Sequence, residues 1–161
     1  MTLAILVLAL VTIQRLAELV IARRNTERLL KAGAIEASPG HYPLIVALHA
    51  TWLIGLWVLA YNIPPNLVLI GIFLILQALR VWVLVTLGPR WTTRIIILPG
   101  APLVTTGPFR FLSHPNYCVV VAELLILPLA FGLVWYGIIF SILNAMILTI
   151  RIRAENEALQ S

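Results

Sequence analysis

Aspartate is absent from this chain of 161 residues, cysteine occurs once, and charged residues of all kinds make up 11% of it. A soluble globular domain carries about 25% charged residues. With 61% hydrophobic residues and a mean hydropathy of +1.04, the chain instead reads as an integral membrane protein of one small domain, residues 1–161. The lone cysteine, Cys118, excludes an internal disulfide framework and a Cys-based zinc site, and reads most simply as a small packing residue. Without aspartate or a Cys/His cluster, no metal is expected, and His41 and His49 have no partner at metal-ligand spacing. No GxSxG, HExxH, phosphate-loop or dinucleotide fingerprint is present, and there is no internal repeat or low-complexity segment. The net charge of +5 is not organised as a patch on a soluble fold, so no nucleic-acid partner is expected. The N-terminal apolar run has no basic leader and no small-residue cleavage site, which makes it a retained first span.

Long apolar runs are plentiful. Residues 2–22, 44–61 and 67–87 each approach the ~20 needed to cross a bilayer as helix. The uncharged turn Asn62-Ile63-Pro64-Pro65-Asn66 forces the second and third runs to be antiparallel. The 33 residues 118–150 would make one helix of about 50 Å, too long for a ~30 Å core. Pro128 and Gly132 divide them into 118–127 and 133–150, a tight helical hairpin whose first arm crosses only by tilting or starting below the interface. The expected architecture is all-α, with five spans, an amphipathic interfacial segment starting at Arg23 and broken by Gly33, and a polar C-terminal helix, 151–161. Segments 23–43, 88–117 and 151–161 then share one side and hold nine of the eleven basic residues, while the opposite side has none. The positive-inside rule puts those segments in the cytoplasm and the N-terminus outside, in a bacterial-type inner membrane.

Two features resist a purely structural description. Arg15, Glu18, Arg80 and Glu123 lie inside spans, where each charge costs at least ~2.5 kcal/mol on insertion scales. They read either as ion-paired glue between helices or as a polar floor that holds a substrate head group. The second feature is the loop 88–117, above all Leu98–Tyr117, LPGAPLVTTGPFRFLSHPNY. Together with Pro89 it holds five of the ten prolines. Connections this long in a compact protein are functional or disordered, and its closely spaced prolines and aromatics argue for a fixed, functional shape.

The stretch LVTTGPFRFLSHPNY resembles the L-V-x-x-G-P-Y-R-x-x-R-H-P-x-Y pattern of the isoprenylcysteine carboxyl methyltransferase family, small integral-membrane enzymes that use S-adenosylmethionine (SAM). RIRAENEAL resembles the family's R-I-x-x-E-E-x-x-L after the last span. LGPRWTTRIIILPGAPLVTTGPFRF looks most like a bacterial branch, some of whose members methylate alkylpyrones and alkylresorcinols at a ring oxygen. The resemblance implies that Ala101, Pro102, Leu103 and Val104 line the cofactor with backbone. It implies that Phe109 contacts SAM, that Arg94 can reach it, and that His114, Pro115, Asn116 and Tyr117 form the cofactor-binding HPxY. Arg151 matches an arginine facing the methyl acceptor, and Glu155 a carboxylate that binds SAM. Ser113 replaces the usual arginine of the pattern, and Asn156 its second acidic residue.

The implied function is a SAM-dependent O-methyltransferase acting on a membrane-resident lipid, either a long-chain phenolic or pyrone polyketide or a prenylcysteine-like carboxylate. Arg151 would stabilise a phenolate or orient a carboxylate, with His114 the alternative base, and Arg80 and Glu123 would bear on the substrate from below. A phospholipid N-methyltransferase and a sterol-reductase-like enzyme share parts of this pattern. A scaffold or small transporter is the non-enzymatic alternative. The transporter would require inverted, discontinuous repeats, which the chain lacks.

Overall fold

The fold, a computed structural model, describes residues 2–160. Helix α1 (Thr2–Lys31) is 30 residues long, about 45 Å, and outruns a ~30 Å hydrocarbon core. The expected boundary near residue 22 is therefore not a break. Arg23–Lys31 contains no glycine or proline, so the helix continues until Gly33, at φ +92, closes it. There Ala34 N–H bonds to Leu29 O and Gly33 N–H to Leu30 O, the two bonds of a Schellman cap.

A 3-10 turn, Pro39–His41, leads into α2 (Tyr42–Ala60), and a short turn into α3 (Leu67–Leu87). The Asn66 side chain caps α3, accepting from Val68 N–H at 3.0 Å and Leu69 N–H at 3.2 Å. Gly88-Pro89 ends α3 as expected, with Gly88 at φ +50. Helix α4 (Pro115–Ala130) begins three residues before the expected arm, with proline at its first position, and runs through Pro128 into its last turn. Gly132, at φ +74, turns the chain into α5 (Val134–Gln160), which continues without interruption from apolar span into polar tail. Residue 161, the end of the expected tail helix, lies outside the described residues.

The protein is an all-α integral membrane protein. Helices α1, α2, α3 and α5 are long and apolar enough to cross a bilayer, and the 16-residue α4 is shorter. Half of α4 is buried, including Val119, Val120, Leu124 and Leu127, so it is enclosed by its neighbours rather than by lipid. Around it sit Ala4, Leu8 and Val11 of α1, Trp52 and Leu56 of α2, and Phe73 of α3. Indole N–H groups tie the layers: Trp52 donates to Leu124 O at 3.3 Å, and Trp57 to Thr12 Oγ1 at 2.9 Å. Gly55 lets the Tyr136 hydroxyl of α5 approach α2, where it donates to Trp52 O at 2.9 Å. Small residues serve such close approaches between membrane helices.

At one end of the bundle the connections are fastened together. Strand β1 (Ile35–Glu36) pairs antiparallel with β2 (Ile96–Ile97), Ile35 opposite Ile97 and Glu36 opposite Ile96. Ala37 N–H adds a bond to Ile95 O at 2.9 Å. The three basic segments thus meet at one pole, joined by backbone hydrogen bonds and by Arg151 of α5.

Candidate functional site

The site is built where the central loop enters α4 and the tail of α5 passes over it. His114 precedes Pro115 at the helix start, and Tyr117 N–H and Cys118 N–H both bond to His114 O. This first turn stacks the His114 and Tyr117 rings, centroids 5.3 Å apart and planes within 17°. Both present their polar atoms to α5. Tyr117 Oη donates to Glu155 Oε2 at 2.9 Å, and His114 Nδ1 lies 3.7 Å from the same oxygen. The Glu155 side chain keeps 31% of its surface exposed, so its carboxylate is held but open to a ligand.

Arg151 lies one helical turn before Glu155, on the same face of α5. It is 5% exposed, donates from Nη2 to Thr93 O at 2.9 Å, and places its guanidinium carbon 5.9 Å from the Tyr117 ring centre. A cation that pairs here with a carbonyl dipole and a ring face retains most of its capacity to stabilise an incoming anion.

Several contacts give the loop its shape. Asn25, near the end of α1, donates to Trp91 O at 2.8 Å and Gly88 O at 3.3 Å. Arg90 Nη1 donates to Pro102 O at 2.7 Å, which holds the Ala101–Val104 segment. Gly107, at φ +57, lies against Thr86, where a Cβ would collide with its side chain. The 3-10 turn Gly107–Arg110 then carries Phe109 half-buried. Arg94 sits on the other side of Thr93. Its Nη1 contacts both Glu36 oxygens at 2.8 and 3.1 Å, and its guanidinium carbon lies 4.3 Å over the Tyr42 ring. The bond to Glu36 raises the Arg94 pKa above its ordinary value, so the group is charged throughout the accessible pH range.

The geometry therefore brings together His114, Tyr117, Arg151 and Glu155, with Arg94 joined through Thr93. Pro115 is buried behind them, and the Asn116 side-chain oxygen is buried without a hydrogen-bond partner. Ser113 and Asn156, where the sequence departs from the motif, are both exposed. Glu36, Tyr42, Thr93 and Asn25 escaped sequence reasoning. Glu36, Tyr42 and Asn25 stand in no motif, and the first connection reaches the loop through the pairing of β1 with β2 and the Ala37–Ile95 backbone bond.

Arg80 and Glu123 lie elsewhere, in a closed network between α1, α3 and α4. Arg80 Nε and Nη2 each donate to Glu18 at 2.6 Å, and its Nη1 to Glu123 Oε2 at 3.0 Å. Arg15 reaches Glu123 Oε2 at 2.6 Å and Glu18 Oε2 at 3.4 Å, while Gln77 and Gln14 satisfy the remaining carboxylate positions at 2.8 and 3.0 Å. Two positive and two negative charges cancel, and both carboxylates have donors on each oxygen. With Arg80 5% exposed and Glu123 0%, these contacts fit the interhelical glue of the two readings, and the network presents little surface to a head group.

The profile of the isoprenylcysteine carboxyl methyltransferase (ICMT) family matches residues 69–161. The uncharacterized protein YpbQ of Bacillus subtilis (strain 168) is 41% identical over 160 residues, covering 96% of this chain and 95% of its own. An uncharacterized protein of Haemophilus influenzae is 25% identical over 152 residues, covering 90% and 88%. No solved structure matches the chain significantly. The matched span contains α4, most of α3, the central loop and the α5 tail, hence every residue of the Tyr117–Glu155–Arg151 arrangement, and the chain belongs to the ICMT family of membrane methyltransferases.

Proposed function

We propose that this chain is a SAM-dependent O-methyltransferase whose acceptor is a lipid carrying a phenolic, enolic or carboxylic oxygen. Family members use SAM, and the donor set at the junction of loop and tail suits that molecule. The observation that carries the reading is the Glu155 carboxylate, held by Tyr117 at 2.9 Å and flanked by His114, yet partly open.

SAM supplies, when bound, a methyl group activated by a cationic sulfur. Glu155 complements an ammonium or ribose hydroxyls, Arg94 a carboxylate, and the faces of Tyr117 and Phe109 an adenine or sulfonium. The loop backbone at Ala101–Val104 contributes donors and acceptors fixed by neighbouring prolines, which lowers the ordering entropy on binding. Pro115 and Asn116 complete the HPxY segment, the latter with its unpaired buried oxygen. Arg151 binds the acceptor oxygen as an anion, lowering its pKa and aligning it for in-line attack. Holding two reactants in such a geometry supplies about 7–11 kcal/mol of the barrier. His114 orients the loop and Glu155, with the role of general base as its alternative. Arg80 and Glu123 act from beneath, fixing α3 and α4, without touching the acceptor.

Tritiated-methyl SAM incubated with the purified protein and fractionated lipid extracts tests this reading. The expected result is label in the organic phase as an ether or ester, abolished in Arg151→Ala. Label in amine head groups would point to N-methylation and contradict the proposal.

A further inference from the structure

The α1–α2 connection and the first residue of α2 lie wholly outside the span matched by the family profile, yet two side chains there, Glu36 and Tyr42, end on residues of the site. We propose that Glu36 and Tyr42 are positioning residues: they fix the Arg94 guanidinium for the carboxylate of the cofactor and, through Thr93, brace Arg151. The inference rests on the reading of Arg94 and Arg151 given above.

Arginine is a long, flexible side chain, and its planar fork recognises a carboxylate well only when its orientation is set. The contacts that set it come from this connection and the first residue of α2. Glu36 takes Nη1 through its two oxygens, at 2.8 and 3.1 Å, and Tyr42 lies under the guanidinium plane at 4.3 Å. The hydrogen bonds to Glu36 use Nη1 alone, which leaves the rest of the fork for a ligand. Tyr42 also reaches the other arm of the site. Its hydroxyl is 3.1 Å from Thr93 Oγ1, and the carbonyl of Thr93 accepts from Arg151 Nη2 at 2.9 Å. The 3-10 turn Pro39–His41 packs on α5, so the connection touches all three components of the pole.

A purely stapling role fits these contacts poorly. The two connections are already joined by β1–β2 and by Ala37 N–H to Ile95 O. The Arg94 and Glu36 side chains are 39% and 21% exposed, and ion pairs this accessible add little stability. What the pair adds to the backbone bonds is a defined direction for Arg94.

Calorimetric titration with SAM and a thermal unfolding curve, on the full chain in detergent, decide the matter. In Glu36→Gln and in Tyr42→Leu, SAM binding is expected to weaken roughly 5–10-fold while the unfolding midpoint stays near that of the unaltered chain. The charge swap, Glu36→Arg combined with Arg94→Glu, rebuilds the ion pair. It is expected to restore the unfolding midpoint lost in Arg94→Glu alone but to leave SAM binding as weak as in that single variant. A staple would recover both. SAM affinities within twofold of the unaltered chain in the first two variants, or recovered binding in the swap, overturn the inference while leaving the methyltransferase reading intact. No SAM binding by the unaltered chain overturns that reading and this inference together.

Discussion

Glu155 has two neighbours competing for one oxygen. Tyr117 donates to Oε2 at 2.9 Å, whereas His114 stands 3.7 Å from it, so the tyrosine is the firm contact. A hydrogen bond to a charged group is worth about 1.5–3 kcal/mol. Tyr117→Phe, which keeps the ring stacked on His114, should therefore lower the unfolding midpoint modestly and, by releasing Glu155 from its set position, weaken SAM binding about tenfold, read by calorimetry well below that midpoint. Arg151→Ala should behave differently. Because Arg151 faces Thr93 O and the Tyr117 ring rather than Glu155, turnover should fall more than a hundredfold while SAM affinity changes little, as measured by methyl incorporation alongside binding. Equal effects on both quantities would place Arg151 on the cofactor instead.

At the scale of elements, the network of Arg15, Glu18, Arg80 and Glu123 explains how α4 can be both short and central. It ties α1, α3 and α4 at one depth, in a region where a single unpaired charge is expensive. Arg80→Leu leaves two carboxylates buried with reduced compensation, and a loss of about 3–5 kcal/mol is expected, seen as a large drop in the unfolding midpoint. Arg23→Ala is the control: it breaks an exposed pair with Glu27 and should leave the midpoint unmoved. Gly55→Ala would push a methyl group into the Tyr136 hydroxyl and separate α2 from α5, with an expected cost of about 1–3 kcal/mol in the same assay.

For the whole molecule, the expected membrane orientation follows from nine of the eleven basic residues lying in the segments 23–43, 88–117 and 151–161. In a Cys118→Ser background, a cysteine placed at Asn62 should react with a membrane-impermeant thiol reagent added outside intact cells. A cysteine at Ser113 should react only after permeabilisation, and the reverse pattern would invert the topology. Much of this architecture was legible in the sequence, because hydropathy, Gly33, Gly88-Pro89 and Gly132 mark helix ends by local physics alone. The His114–Tyr117 and Arg151–Glu155 groups were legible as motifs. Two things were not. The continuity of α1 past Ala22 was hidden because a change from apolar to polar residues marks the edge of a bilayer, not the end of a helix. Glu36, Tyr42 and Thr93 were hidden because their proximity depends on the two-residue pairing of β1 with β2, which leaves no periodic signature.

The central claim is that the loop entering α4 and the tail of α5 together form a SAM site around Glu155. Calorimetric titration of the purified protein with SAM, the unaltered chain beside Glu155→Ala, tests it most directly. The account predicts saturable binding by the unaltered chain at physiological SAM concentrations, weakened at least tenfold in the variant at a temperature where both proteins remain folded. Absence of binding by the unaltered chain, or equal binding by both proteins, would contradict it.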